Sequence, residues 1–292
     1  MDMGNLNERE SGISKVIASS ERDRVAVLNF FKKQFDNQVP ANWESLKTPN
    51  EIRTAEIVLD EMLDFVKMYG GEMPPVTQEH IHSVSESDRD EHARAIKGGA
   101  GYLPDYQRLY TVDSYGNSNF LKGHVLAHEL LHFCSFQSYS AREQRDVLTM
   151  TPRRHGLEMI NTDNTGSFFG KLDEAVIEEL AITFSTNHLT KNEWLRKDLE
   201  EHEGYSSNVL EITKDKNGNA VFVSHAYEQE RTSLRYLVND LFEKNQDQFN
   251  APDEVFLLFA KGALTGNVLE LARLIEKTYG KGWFRKIGEM TK

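Results

Sequence analysis

The chain carries one cysteine, Cys134, among 292 residues. A single thiol cannot close an intramolecular disulfide, so cysteine usage does not point to an oxidising compartment. No apolar run approaches the roughly 20 residues that a membrane helix needs. The opening stretch, MDMGNLNERESGISK, is polar and has no apolar signal core. Positive charge is in deficit: 34 Lys and Arg stand against 46 Asp and Glu, a net charge of −12. Phosphate recognition wants clustered Lys and Arg, so a broad nucleic-acid surface is excluded, and the acidic balance serves solubility. Internal repeats, low-complexity blocks and coiled-coil heptads are also lacking. The expectation is a cytoplasmic protein with neither nucleic-acid nor membrane partners.

The composition is otherwise ordinary, 39% hydrophobic and 27% charged. The length suits one large domain or two closely packed lobes, with a core that needs no disulfide or metal staple. Residues 1 to about 20 read as polar and mobile. RVAVLNFFKKQF, 24 to 35, has Val25, Leu28, Phe31 and Phe35 at helical spacing. That predicts an N-terminal helix docked on the body, with a partner-binding arm as the alternative. After a connector, 38 to 50, the helix EIRTAEIVLDEMLDFVKMYGG repeats Ile52, Ala55, Leu59, Met62 and Val66 and ends at Gly70 and Gly71.

EHIHSVS and RLYTVD read as short strands. GGAG, 98 to 101, opens strand-like sequence rather than a helix, which argues against a phosphate loop. SNFLKGHVLAHELLHFCSF is helical, and DVLTMTPRRHGLEMINTDNTGS is irregular or hairpin-like. KLDEAVIEELAITFSTNHL is a second strong helix. In EITKDKNGNAVFVS, Asn217-Gly218 between β-prone runs is a hairpin signal. The remainder, from 227 onward, reads as a series of helices.

His128-Glu129-Leu130-Leu131-His132 fits HExxH. Residues four apart lie on one helical face, about 6 Å apart along the axis. Their imidazoles can converge on one metal ion with bonds of about 2 Å. Glu129, one residue further round, sits beside such an ion and is suited to take a proton from a water it polarises. The apolar flanks Val125, Leu130, Leu131 and Phe133 predict burial, where unpaired ionisable groups are costly. His124 shares the face but lies two turns from His132, roughly 12 Å by rise. It cannot join both as a ligand and is expected to serve a carboxylate or the backbone, or to line the site. Cys134 is turned about 200° from His132, which predicts a core thiol.

A third ligand is required. LDEAVIEELA, 172 to 181, offers Glu174 and Glu178 on one face, with Glu179 pointing elsewhere. Two inward carboxylates beside apolar packing make sense where a cation balances them. Glu174 is assigned to the metal. Glu178 is assigned to the far nitrogen of His128 or His132, orienting that ring; the two glutamates can also exchange roles. His and Glu ligands suit Zn2+ and also accept cobalt or manganese.

At this point the sequence resembles the gluzincin metallopeptidases, the thermolysin-like group. In that group HExxH is followed by a helix with N-E-x-x-S/T-D/E, whose first acid binds zinc and whose second supports a ligand histidine. By position, Glu174 and Glu178 match those two. Asp173 stands where Asn is usual, and Ile177 where a small hydroxyl residue is common. The run from GGAGYLPDYQRLYTVDS to the motif helix more loosely resembles uncharacterised bacterial predicted metallopeptidases. The resemblance covers residues 98 to 181.

It implies a zincin-like α+β fold. A small twisted sheet and the HExxH helix would form one lobe, about 51–169, and a mainly helical lobe, about 170–292, would close the cleft. Residues 1–50 would be an extension with one helix, placed where it could cover that cleft. RLYTVD would be an edge strand above the zinc, able to pair with an extended substrate, or a strand serving only the sheet.

The expected activity is a zinc-dependent peptidase acting on peptide or protein substrates, with Glu129 as general base. An oxyanion donor is sought in SHAYEQER, with Tyr227 first, then His225, and Arg231 also available. Arg153, Arg154 and His155 are candidates for substrate binding. The alternatives are a zinc-binding but non-catalytic interaction protein, which would have no need of Glu129, and a hydrolase of a non-peptide amide.

Overall fold

Local side-chain chemistry sets where the helices begin. In the computed structural model, which describes residues 11–39, 41, 44–85, 100–112, 117–144, 147–161 and 166–292, Ser20 caps the first helix by accepting from Asp23 N at 3.1 Å. This is α1, Glu21–Asp36. Thr48 and Glu51 form a reciprocal capping box at the start of α2, Pro49–Met68, with the proline in its first turn. The core faces are rotated slightly from those expected. Val27 joins Leu28, Phe31 and Phe35 in burying α1, and Val58 and Phe65 are buried on α2 whereas Ile52 is exposed.

The motif helix is α3, Asn119–Cys134. Its start is buried, so its first amides need partners. Asp198 supplies them from α5, Glu193–Glu201: it accepts from Ser118 Oγ at 2.8 Å, Asn119 Nδ2 at 2.8 Å and Phe120 N at 2.9 Å. The helix is buried on nearly every side, Phe120, Leu121, Ala127, Leu130, Leu131 and Phe133 all at 0% exposure. It packs against α2, against α4 (Gly170–Asn187) and against α5. Gly123 permits the approach of α2: a Cβ there would stand 3.3 Å from the Thr54 methyl.

Among the described residues three small sheets accompany the helices. The first has five strands. In it β1 (Lys15–Ala18) runs parallel to β5 (Gln137–Gln144), followed antiparallel by β6 (Val147–His155), β7 (Glu158–Ile160) and β8 (Ser167–Phe168). In the second, β2 (Ile81–Val84) runs parallel to β4 (Arg108–Val112), and β4 pairs antiparallel with β3 (Ala100–Leu103). The third is the hairpin of β9 (Leu210–Lys214) and β10 (Ala220–Ser224), turned by Asn217-Gly218 as its sequence predicts. Helices α6 (Glu228–Glu243), α7 (Pro252–Thr265), α8 (Leu269–Tyr279) and α9 (Trp283–Met290) complete the chain. The class is α+β with small mixed sheets, and one hydrophobic cluster extends from Phe35 to Ile287. Among the described residues no helix is long and apolar enough to cross a membrane.

Several strand expectations are corrected. RLYTVD is the centre of its sheet, because β2 covers the side opposite β3. The edges are β2 and β3, and β3, from AGYL, is the one beside the cleft. Lys15–Ala18, expected in a mobile leader, is a strand on β5, over a small core of Ile13, Phe31 and Tyr139. Of the two readings of the stretch after the motif helix, irregular or hairpin-like, the second holds, since β6 and β7 pair antiparallel, whereas β5 carried no clear sequence signal. Gly98 and Gly99 of the GGAG stretch, and residues 1–10 of the leader, lie outside the described residues.

Candidate metal and catalytic site

Helices α3 and α4 face each other across the site. Three donor atoms meet there. His132 Nε2 lies 3.2 Å from His128 Nε2 and 3.2 Å from Glu174 Oε2, and His128 Nε2 lies 3.5 Å from Glu174 Oε2. Tetrahedral bonds of about 2.0–2.1 Å require donors about 3.3–3.4 Å apart. Two imidazole nitrogens and a carboxylate oxygen at these separations can hold a divalent ion.

The two candidate glutamates have different positions. Glu174 reaches the donor triangle, while Glu178 is buried behind it. Glu178 Oε2 faces His128 Nδ1 at 2.8 Å; its Oε1 faces His124 Nε2 at 3.3 Å and accepts from Ser224 Oγ. His124 is therefore a carboxylate partner, with Ser185 Oγ on its other nitrogen at 3.0 Å. The far nitrogen of His132 has a different neighbour. Its Nδ1 is buried with no hydrogen-bond partner among the described residues, 3.9 Å from Asp173 Oδ2. Asp173 is itself anchored by Leu157 N at 2.6 Å.

The electrostatics suit a cation. Burial pushes Glu174 up, but His132 and His128 pull it well below the usual carboxylate range; Glu178 is pulled down in the same way by His124 and His128. Burial disfavours the imidazoliums, yet Glu174 and Glu178 hold His128 well above its ordinary value, and Glu174 raises His132. Burial lifts the Asp173 carboxyl to about 7, against the pull of His132 and the Leu157 amide. Burial also raises Glu129, opposed by His128 and His132, which moves that carboxyl toward the range of a general base.

The site opens onto a cleft of about 680 Å³ lined by Glu129, His128, His132, Glu174 and Tyr227. One wall is the β3 segment, Ala100 to Pro104. No described residue before Ala100 lines it. Tyr227 stands over the site with its ring stacked on His128, centroids 5.8 Å apart and planes at 7°. Burial, then Glu174, push its phenol up, so it remains a hydrogen-bond donor. The Nε2 of His225 faces Glu211 Oε2 at 3.4 Å, and His225 is not among the described residues that line this cleft. The turn between β10 and α6 sends neighbouring side chains in different directions.

Arg231 is also absent from the cleft, being buried and bonded to Glu179 Oε1 at 2.9 Å. Arg154 caps the end of α7 through Gly262 O and Gly266 O, and Arg153 bonds Ser140 Oγ. Neither arginine lines the cleft, but His155 does. Its Nε2–H donates to His132 O at 3.0 Å, and burial lowers it to about 4, so it is neutral. Cys134 is fully buried.

Sequence reasoning missed Asp173 and Ser224 as partners of the site. A residue next to a ligand on a helix is rotated by about 100°, so spacing gave no reason to turn Asp173 inward. Ser224 comes from a hairpin whose docking no local pattern records. Comparison with protein-family models, curated proteins and solved structures finds no match.

Proposed function

We propose that the protein is a zinc-dependent peptidase of zincin-like architecture, with His128, His132 and Glu174 as ligands. The observation that carries this reading is the donor triangle, 3.2 to 3.5 Å on a side, with Glu129 beside it in an open cleft. A purely structural metal site has no use for that glutamate or for open access.

Zinc held by these ligands would supply a Lewis acid and lower the pKa of an attacking water toward about 7. Glu129 takes the proton of that water on its carboxylate and passes it to the departing amine. The Tyr227 hydroxyl donates to the oxygen that gains charge as the carbonyl is attacked. Glu178 orients His128 through Nδ1, which holds its Nε2 toward the triangle. β3, an edge strand along the cleft, offers backbone groups to an extended peptide.

The test is cleavage of a diverse peptide mixture, read by mass spectrometry, for zinc-loaded wild type and Glu129→Gln. Wild type is expected to cut and the variant to be silent while holding one zinc. Cutting by both would remove Glu129 from the mechanism. Cutting by neither, with zinc bound, would favour a non-catalytic metal-binding protein. Parallel assay of non-peptide amides separates the remaining alternative.

A further inference from the structure

Two consecutive residues of α4 hold opposite sides of one short segment. Glu178 accepts from Ser224 Oγ, and that same hydroxyl accepts from Ala226 N at 3.2 Å. Glu179 Oε1 accepts from Arg231 Nε at 2.9 Å and forms an ion pair with Arg235 Nη2 at 2.7 Å. Arg231, only 6% exposed, turns back from α6 and donates through Nη1 to Ser224 O at 2.8 Å and Ala226 O at 3.3 Å. The His225 amide also donates to Val209 O at 2.7 Å, so the segment from Ser224 to Ala226 is gripped at two carbonyls, two amides and one hydroxyl.

The next residue is Tyr227, at φ 51° and ψ 33°. This left-handed conformation is unfavourable for a bulky aromatic and persists only where the surroundings impose it. No side chain caps the start of α6 at this point, so the imposed geometry comes from the gripped segment. Its consequence is the parallel stacking of Tyr227 on His128. An ordinary backbone conformation at Tyr227 would redirect the ring.

We propose that Arg231, anchored by Glu179, is a positioning residue that holds Tyr227 over the ligand His128. This rests on the reading of Tyr227 as oxyanion donor only for its catalytic consequence. The placement itself is testable without any reaction. Arg231 does not line the cleft, so it acts through Tyr227 rather than on substrate.

The experiment compares the imidazole NMR signals of His128 in the full chain, without metal, for wild type, Tyr227→Leu, Tyr227→Phe, Arg231→Met and Glu179→Gln. Removal of the stacked ring in Tyr227→Leu is expected to shift the His128 signals, and Tyr227→Phe to leave them near wild type. Arg231→Met is expected to shift them as Tyr227→Leu does, with the remote His188 signals unmoved as a control for folding. Glu179→Gln removes the anchor while keeping the side chain's size at a site 19% exposed, and a smaller shift in the same direction is expected even if Arg231→Met fails to fold.

In peptide cleavage, Arg231→Met is expected to lower kcat about 10²-fold at constant KM, as loss of an oxyanion donor does, and to cost nothing further in a Tyr227→Phe background. Unshifted His128 signals in both clamp variants, or losses that multiply in the double variant, would overturn the proposal. If zinc-loaded wild type cuts no peptide, the peptidase reading fails, and the ring shifts still decide the positioning role.

Discussion

His132 Nδ1 lies 3.9 Å from Asp173 Oδ2, while the corresponding nitrogen of His128 lies 2.8 Å from Glu178 Oε2. One of the two proposed ligand histidines is tightly held from behind and the other is loosely held. Supporting groups of this kind typically change metal affinity 10- to 100-fold. Glu178→Ala is expected to weaken zinc binding by about 10²-fold. Asp173→Ala is expected to weaken it by about tenfold, and Asp173→Asn, which keeps an acceptor, by less. Competition against a chelator measures all three; wild-type affinity in Asp173→Ala would show that His132 needs no such partner.

Zinc binding should release protons. Glu174 and Glu178 hold His128, and Glu174 holds His132, above the ordinary imidazole value in the metal-free protein, and metal binding displaces the ring protons these carboxylates favour. Apparent affinity is expected to rise with pH through those raised values. The stability of the metal-free chain should move the other way. Groups with raised folded-state pKa contribute fully below the unfolded value of about 6.5, and lose that contribution as pH rises through the folded value. Calorimetry in buffers of different ionisation enthalpy, with thermal melts of the metal-free protein, checks both signs.

Tyr227 and His225 are two residues apart and should behave differently. Tyr227→Phe is expected to lower kcat about 10²-fold with zinc retained, the usual cost of one oxyanion donor. His225→Ala, whose ring faces Glu211 away from the cleft, should leave kcat unchanged. Steady-state kinetics on the first peptide found to be cut would distinguish them, and a reversed pattern would exchange their roles.

Asp198 holds the start of the motif helix through three hydrogen bonds. Hydrogen bonds to a buried charge contribute about 1.5–3 kcal/mol, and leaving their donors unmet adds a penalty. Asp198→Ala is expected to lose about 3 kcal/mol or more in urea unfolding of the metal-free chain, with zinc stoichiometry preserved where it folds. A loss below about 1 kcal/mol would mean that water replaces the carboxylate.

Gly156 has φ 58°, and a Cβ on it would stand 2.2 Å from Asp173 Oδ1. Gly156→Ala therefore meets both backbone strain and a collision with the group behind His132. Strain at such a conformation costs about 1 kcal/mol or more before the collision is counted. Reduced stability together with weakened zinc binding is the expected result, read by denaturation and chelator competition.

The periodic features of this protein were legible in one dimension. HExxH, the Glu174–Glu178 spacing and the Asn217-Gly218 turn each lie within one element, where helical or hairpin geometry relates side chains of known separation. They were enough to pick out His128, Glu129, His132 and the two glutamates, and to exclude His124 from sharing both ligands' ion. Packing between elements is different, because it depends on how far one element slides or turns against another. That relation sends Glu174 rather than Glu178 to the donor triangle, makes AGYL rather than RLYTVD the strand along the cleft, and brings Tyr227 in while His225 faces out. It also brings Asp173, Ser224 and Arg231 to the site. Each does its work through a partner 7 to 52 positions away, and no local periodicity extends across such intervals.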